Sequence, residues 1–129
     1  MKITLAPDNL ASDSITAPSH GASVVFRGVV RGMENGLPIK GIDYSCYPSM
    51  AERRMSHIAE EAHQLFGDHE GAITHRVGFV AVGESAITIN VQTKRSGEAF
   101  AACQWYLRRI KEDVPIWKKP IFVDPSAQE

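Results

Sequence analysis

The chain has 129 residues, 43% of them apolar and 22% charged, a length and composition that fit one globular domain and exclude disordered, collagen-like and disulfide-rich proteins. Its 14 basic and 15 acidic side chains give a net charge of −1, which argues against a general nucleic-acid or membrane-surface binder. Without a membrane-length apolar run or an apolar N-terminal leader, and with Cys46 and Cys103 in apolar surroundings, the chain is expected to be cytoplasmic with reduced thiols.

A loose N-terminal arm is expected over residues 1–20, because this stretch is rich in Pro, Ser, Asp and Thr. Within it, Lys2–Leu5 can form a short strand. The first long strand is predicted at Ala22–Arg31, which is β-branched and mostly apolar. Gly28 inside that strand indicates a bulge or a close approach of another backbone.

A loop and a second strand lead to the first helix. Gly32–Pro38 is predicted to be a loop with its strongest turn signal at Asn35-Gly36, and a strand follows at Ile39–Tyr47. Pro48 then begins a helix whose apolar residues keep a 3.6-residue period, and Gly67 ends it.

The second half of the chain predicts two strands, a helix and a last strand. The strands are Ala72–Val80 and Ser85–Thr93, joined by a turn at Gly83-Glu84. The helix spans about Gly97 to Val114.

Local signals mark both ends of that helix. Ser96 is predicted as the N-cap, and Pro115 ends the helix before a strand at Ile116–Val123. The succession of strands and helices, without an internal repeat, predicts an α+β fold in a single domain over residues 1–129.

Positive charge accumulates toward the C-terminus. Residues 93–129 hold 7 basic and 5 acidic side chains, whereas residues 1–92 hold 7 and 10. One interpretation is a solvated helix face, especially for Arg108 and Arg109. The other is a local site for an anionic partner on a nearly neutral protein.

Two lysines near the end of the second helix are the strongest candidates for chemistry. Lys111 lies on the last predicted turn, and Lys118 follows seven residues later, beyond Pro115. The change of direction can bring both amines into one groove, where neighbouring cations or desolvation let a lysine act as acid, base or nucleophile. Trp117 offers a flat apolar wall for a planar ligand. The simpler alternative is solvated lysines at a helix C-terminus and a tryptophan in the core.

Two pairs of basic residues can bind anions. Arg27 and Arg31, four apart on one strand, are expected on one face, where two guanidiniums can hold a phosphate or carboxylate. Lys94 and Arg95 precede a helix N-terminus, which is itself favourable for anions. The alternatives are the polar side of an edge strand for the first pair and a basic loop for the second.

Other chemistries find little support. His75 and Glu84 can be imagined as a general-base pair, but no Ser or Cys nucleophile accompanies them. The chain has no Gly-rich phosphate loop and no Cys/His cluster at metal spacing, so no metal and no cofactor are expected.

Five segments occur in a fixed order across residues 21–119: GASVVFRGVVR at 21–31, YSCYPSMAE at 44–52, HRVGFVAVGESAITI at 75–89, GEAFAAC at 97–103 and IKEDVPIWKK at 110–119. Together they resemble the MoaE family, the catalytic (large) subunits of molybdopterin synthase. The resemblance implies an α+β fold with a mixed or antiparallel sheet, two main helices and a hammerhead-like β element.

The same resemblance implies a cytoplasmic sulfurtransferase of molybdenum cofactor biosynthesis. Such subunits form a homodimer, and each protomer binds a small ubiquitin-like subunit of the MoaD type, giving a heterotetramer. The small subunit's C-terminal Gly-Gly tail carries a thiocarboxylate. Its sulfur passes to cyclic pyranopterin monophosphate, and two transfers build the dithiolene of molybdopterin.

Site residues follow from the resemblance position by position. Lys111 would be the acid or base nearest the sulfur-transfer step, and Lys118 would bind and polarise the substrate or the tail carbonyl. Arg31 would contact an anion or the pterin phosphate. The remaining residues expected to bind substrate or line the tail channel are Phe26, Arg95, Trp117 and Lys119.

The chain departs from the family pattern at several positions. Arg95-Ser96 stands where the family has His-Arg, Pro120 replaces an acidic residue, Ser45 replaces a glutamate, and the family's C-terminal tail is expected to be missing. These departures leave open a member that binds the small-subunit tail or another anionic ligand without turnover. A third interpretation is an unrelated anion-binding or nucleic-acid accessory protein.

Overall fold

The computed structural model describes residues 1–7 and 18–124, so residues 8–17 of the predicted arm lie outside the described part. The described residues form eight strands and two helices, which are, in chain order, β1 (Lys2–Ala6), β2 (Ala22–Val29), β3 (Met33–Glu34), β4 (Leu37–Cys46), α1 (Pro48–Phe66), β5 (Glu70–Arg76), β6 (Gly78–Ala81), β7 (Ser85–Thr93), α2 (Ser96–Asp113) and β8 (Ile116–Phe122).

The first sheet has four strands in the order β1-β5-β7-β2. β1 runs parallel to β5, and the other two pairings are antiparallel. One face of the sheet packs against α1 and α2, and its centre is formed by Ile73, Ile89 and Val91, all fully buried. Met55 on α1 and Tyr106 on α2 fill the other side of this core.

The second sheet is built on β4, which pairs with β3, β6 and β8, all antiparallel. A smaller core that includes Ile42, Tyr44 and Val80 lies against it. The α+β class predicted from the sequence is therefore confirmed, with one mixed sheet, one antiparallel sheet and two helices.

The predicted strand Ala72–Val80 is wrong, because this stretch forms two strands in different sheets. β5 pairs with β1 and β7, whereas β6 pairs with β4. The chain changes sheets at Val77-Gly78, where Gly78 has φ +89°, a conformation that side chains with a Cβ disfavour. The polar residues Thr74, His75 and Arg76 and the glycine at 78 interrupt the apolar pattern of this stretch, but such residues also occur within single strands and do not by themselves indicate a change of sheet.

The predicted loop over residues 32–38 also contains more structure than expected. β3 and β4 form a hairpin whose two turn residues are Asn35 and Gly36, with φ 53° and 78°. Two positive φ angles match the right-handed twist of the flanking strands, which is why Asn-Gly favours this turn.

Both helices form where the periodicity predicts them. α1 begins at Pro48 and ends before Gly67, and α2 begins one residue earlier than expected. Arg95, not Ser96, is therefore the N-cap, and its extended backbone is held by a hydrogen bond from the Thr93 hydroxyl to the Arg95 carbonyl oxygen (2.6 Å).

The two helices are also linked by an ion pair, in which the Arg109 guanidinium on α2 binds the Glu61 carboxylate on α1. Arg109 additionally pairs with Asp113 and lies over the Trp105 ring, so it is not the solvated side chain that one interpretation expected. Neither described helix is long and apolar enough to cross a membrane.

Candidate functional site

A cavity of about 660 Å³ opens between the two sheets and the C-terminal half of α2. Its wall combines three cationic side chains with a larger number of apolar ones. The described residues that line it are Gly28, Val29, Arg31, Tyr44, His75, Ala86, Ile87, Leu107, Ile110, Lys111, Val114, Ile116 and Lys118.

Lys111 and Lys118 reach this cavity from different elements. Lys111 lies on the last turn of α2, and the chain leaves the helix at Val114 in an extended conformation. β8 then runs antiparallel to β4, which places Lys118 opposite Tyr44. The two lysines, seven residues apart in sequence, therefore line the same cavity, as their spacing around Pro115 suggested.

Arg31 joins the lysines from the segment that follows β2. The register of the β2–β7 pairing shifts between Gly28 and Val29, because Gly28 pairs with Ile87 and Val29 with Ser85, so the extra residue lies on β7. Burial still alternates along β2 and through Val30 to the exposed Arg31, which lines the cavity. Arg27 lies before the register shift, is exposed and does not line the cavity. Burial alternates without a break from residue 22 to residue 31, so the two arginines lie on the same side of this segment, but only Arg31 reaches the cavity.

Tyr44 and His75 also line the cavity, although Tyr44 was not proposed as a site residue from the sequence and His75 was considered only as a partner of Glu84. Their rings meet edge to face with centroids 5.2 Å apart. Burial lowers the pKa of His75, and the nearby Lys118 lowers it further. Burial likewise raises the pKa of Tyr44. Both side chains are therefore neutral at pH 7. Their positions within two of the family-like segments are the sequence signal that could have indicated both as cavity residues.

The electrostatics of the cavity favour anions. Arg31, Lys111 and Lys118 contribute three positive charges, and no acidic residue is among its described lining residues. The surrounding apolar wall reduces screening by water, which strengthens each contact with a negative ligand. The arrangement can hold a carboxylate-like group and a phosphate at the same time.

Three other predicted residues lie outside the cavity lining. Lys119 and Trp117 alternate with Lys118 along β8 and face the opposite side, where Trp117 meets Tyr47 edge to face at 5.6 Å. Phe26 packs against the main core instead. Its ring lies beside Gly28, so it supports the cavity wall from behind rather than lining it.

Arg95 lies at the opposite end of α2 from Lys111. Sixteen residues of helix separate them by about 24 Å along the axis. A small molecule bound at Lys111 therefore cannot contact Arg95 of the same chain.

The candidate His75–Glu84 pair does not form. The Glu84 carboxylate accepts a hydrogen bond from the Arg76 guanidinium at 3.0 Å instead. The thiols offer no alternative nucleophile in the cavity, because neither Cys46 nor Cys103 lines it. Burial raises the pKa of both thiols, which keeps them protonated.

Comparison with known proteins gives one consistent family. Residues 3–113 match the model of the family described as MoaE protein. The chain is 36% identical over 125 residues to the molybdopterin synthase catalytic subunit of Emericella nidulans, covering 97% of this chain and 64% of that protein. It is 35% identical to the catalytic subunit of Thermoplasma volcanium, covering 83% of this chain and 78% of that protein. The matched part of the chain thus spans just under two thirds of the length of the first relative and a larger share of the length of the second.

Solved structures agree with the sequence comparisons. The crystal structure of molybdopterin synthase from Staphylococcus aureus superposes with a TM-score of 0.85 at 32% identity, covering 95% of this chain and 91% of that one. A complex of subunits 1 and 2 of the molybdopterin-converting factor from Helicobacter pylori contains the same fold, with a TM-score of 0.67 at 24% identity. That match covers 83% of this chain and 74% of the other.

Proposed function

The chain belongs to the MoaE family, to which molybdopterin synthase catalytic subunits belong, and from this premise we propose that its cavity is a sulfur-transfer site. Sulfur passes there from the thiocarboxylated C-terminus of a small ubiquitin-like subunit to cyclic pyranopterin monophosphate. The product is the dithiolene of molybdopterin.

One observation carries this proposal: Arg31 from the segment after β2, Lys111 from α2 and Lys118 from β8 line one cavity. Both proposed substrates are anionic, one through its thiocarboxylate and the other through its phosphate. Three cations in an apolar wall can bind both and stabilise negative charge that moves between them.

The roles proposed for the three cations are those that the family resemblance implied. Lys111, on the last turn of α2, is the proposed acid or base nearest the sulfur transfer. Lys118 binds and polarises the substrate or the tail carbonyl, and Arg31 contacts the phosphate. Phe26, Trp117, Lys119 and Arg95 are not assigned contacts with substrate inside this cavity, because they do not line it.

The small subunit is the proposed partner of this cavity. Within the described residues, β2 pairs only with β7, so its other edge is open, and Gly28 and Val29 at its end line the cavity. An extended Gly-Gly tail suits such an edge, since its backbone can hydrogen bond to the strand and its lack of side chains fits a narrow entrance. The solved Helicobacter pylori relative is itself a two-subunit complex.

A homodimer is the proposed assembly, which with two small subunits makes a heterotetramer. Large apolar side chains are exposed on the second sheet, including Met33, Leu37 and Phe79, each at least half exposed. Exposed apolar surface of this kind marks an interface, for which a second copy is the proposed occupant. Arg95, too far from its own cavity, can reach substrate only as part of a second copy.

The cysteines have no proposed part in the transfer. Both are unpaired and neither lines the cavity. Unpaired thiols fit a reducing compartment, so we place the reaction in the cytoplasm.

A second candidate is a family member that binds the tail without turnover. It is favoured by Ser96 and Pro120, which stand where the family carries charged residues. The two candidates differ in one outcome, because only the enzyme releases molybdopterin.

The test combines the purified protein with a thiocarboxylated small subunit and cyclic pyranopterin monophosphate, and measures molybdopterin by the fluorescence of its oxidised derivative. Wild type is expected to form product. Lys111→Ala is expected to lower the rate by about 10²- to 10⁴-fold, the usual contribution of a general acid or base. Lys40→Ala, an exposed lysine on β4, is the matched control and is expected to retain the rate.

The outcomes separate the candidates. Normal turnover by Lys111→Ala would refute the assigned role of this lysine. A wild-type protein that binds the small subunit but makes no product would favour the binding protein. If neither partner binds, the family's activity does not extend to this chain.

A further inference from the structure

His75 is held in one tautomer inside the cavity. It is 7% exposed, and its Nδ1 lies 2.8 Å from the Arg76 carbonyl oxygen. Because a carbonyl oxygen only accepts hydrogen bonds, Nδ1 carries the proton and donates it. The neutral ring therefore keeps a lone pair on Nε2, for which the described residues provide no hydrogen bond in this structure.

The carbonyl that holds the ring is itself fixed. The Arg76 side chain donates to the Pro7 carbonyl oxygen and to the Glu84 carboxylate, both at 3.0 Å. The next residue, Val77, donates its backbone N–H to the Ala6 carbonyl oxygen, also at 3.0 Å. The His75 ring thus has a rigid support outside the cavity, and its tautomer does not depend on a ligand.

Hydrogen-bond acceptors are scarce in the cavity wall. The three cationic side chains Arg31, Lys111 and Lys118 only donate. Among the described lining side chains, the Nε2 of His75 and the hydroxyl oxygen of Tyr44 are the acceptors. One of these cationic donors can therefore form a hydrogen bond to the Nε2 of the buried His75 ring.

The fold places the donor Lys118 beside this acceptor. Lys118 lies directly opposite Tyr44 in the β4–β8 pairing, and the Tyr44 ring touches the His75 ring. Lys118 is also the one charged side chain whose nearness lowers the pKa of His75. The three residues form a row across β8, β4 and β5 along the cavity.

We propose that His75 is a positioning residue for Lys118: its Nε2 lone pair accepts a hydrogen bond from the Lys118 ammonium and holds that group aimed into the cavity. The effect of this contact on catalysis rests on the proposed function. The neutral ring directs the amine without adding charge, so all three cations remain available to anionic substrates. When the ring is protonated, the lone pair is lost and two positive charges repel each other.

This arrangement makes the position of the Lys118 ammonium depend on pH, because it changes when His75 is protonated. His75 lies on β5 between β1 and β7. Its partners on these two strands are Leu5 and Ile87, which do not titrate. The titratable or charged groups are Tyr44 from β4, Lys118 from β8, Lys111 from α2, Arg31 beyond β2 and the neighbouring Arg76 with its partner Glu84. None of the groups in the cavity is an acid that could compensate a charged imidazole.

The first test needs no substrate. The pKa of His75 is measured by NMR titration of its ring in the purified protein, in Lys118→Met and in Lys119→Met. Lys118→Met is expected to raise the pKa of His75, because the nearby charge and the hydrogen bond to the neutral ring are both removed. Lys119→Met removes the same charge from the opposite face of β8 and is expected to leave the pKa unchanged. Equal shifts in the two variants, or none in Lys118→Met, would overturn the proposal.

The second test uses the sulfur-transfer assay over a range of pH. His75→Asn keeps a donor near the position of Nδ1 but has no acceptor at Nε2, and it is expected to lower kcat by about 10- to 100-fold through misplacement of Lys118. His75→Gln can present its amide oxygen near Nε2, and is expected to keep kcat within about threefold of wild type. The wild-type rate is expected to fall in acid as His75 is protonated, and this fall is expected to be absent in His75→Gln.

Full activity of His75→Asn, or an acid fall that persists unchanged in His75→Gln, would refute the positioning role. A purely structural role predicts that both variants lose stability and activity together, with no change in the shape of the pH profile. If wild type makes no product at any pH, the proposed function fails while the NMR titration still decides whether His75 and Lys118 interact.

Discussion

His69 illustrates at the scale of a single residue how this fold keeps histidines neutral. It is 2% exposed, and its Nδ1–H donates to the Gly67 carbonyl oxygen at 2.8 Å. Its Nε2 accepts a hydrogen bond from the Tyr106 hydroxyl at 2.6 Å. Burial lowers the pKa of His69 and raises that of Tyr106, so both partners stay neutral. His69 and His75 thus share a neutral state for the same reason, although only His75 faces the cavity.

Neutral buried histidines make the stability of the protein dependent on pH. With folded pKa values below the ordinary 6.5, the unfolded chain binds more protons than the native protein once the pH falls below that value. The free energy of unfolding is therefore expected to be constant near pH 7 to 8 and to fall as the pH drops from about 6.5 toward the lowered folded values. Urea denaturation at a series of pH values measures this.

The variant His69→Gln separates the contribution of one ring. It is expected to be less stable than wild type at pH 7.5, since a buried hydrogen bond is disturbed, and to have a shallower dependence on pH. A wild-type protein that becomes more stable on acidification over this range would contradict the assignment of neutral rings.

At the scale of elements, the second sheet depends on a close approach between β4 and β6. β4 and β6 meet at Gly41, which pairs with Ala81 and lies against the Phe79 ring. A Cβ at position 41 would overlap the Val80 carbonyl oxygen and lie 2.6 Å from that ring. The second sheet, which carries Tyr44 and Lys118, thus depends on a residue without a side chain.

Gly41→Ala is expected to destabilise the protein by about 1–3 kcal/mol, the usual cost of overpacking, and more if the backbone cannot shift. Gly97→Ala is the matched control, because no atom lies within 4 Å of its added Cβ and it sits in the first turn of α2. It is expected to be neutral or to stabilise by up to about 1 kcal/mol. Chemical denaturation of both variants measures the difference, and equal stabilities would contradict the steric argument.

In the whole molecule, the cationic cavity and the exposed apolar surface lie in different places. The cavity lies between the sheets, whereas Met33, Leu37 and Phe79 project from the second sheet. The length of α2 separates Arg95 from Lys111 within one copy. A homodimer joined through the second sheet would cover the apolar side chains and give Arg95 access to another copy's cavity.

The double variant Leu37→Asp with Phe79→Asp is expected to convert the dimer into a monomer, since two carboxylates would be buried in an apolar contact. Light scattering coupled to gel filtration is expected to give twice the chain mass of 14.2 kDa for wild type and the single mass for the variant. Leu65→Asp, at an exposed leucine on α1, is the control and is expected to remain dimeric. A wild-type monomer at micromolar concentration would refute the homodimer.

The sequence alone determined the features that depend on neighbours along the chain. The 3.6-residue period and the flanking Pro48 and Gly67 were sufficient for α1, and Asn35-Gly36 was sufficient for a turn. The ordered family-like segments determined the family and singled out Lys111 and Lys118, both of which line the cavity. These signals are local, because helix periodicity, turn conformation and motif order do not require knowledge of which strands meet.

Only the tertiary structure decided which side chains share the cavity. The packing of the sheets round the cavity brought in Arg31 but not Arg27, and the strand pairing that sets Lys118 opposite Tyr44 left Lys119 and Trp117 outside it. His75 became a cavity residue because its strand ends where the chain changes sheets at Gly78. Strand register, bulges and changes of sheet are set by contacts between residues far apart in the chain, and an apolar β pattern is compatible with several of them.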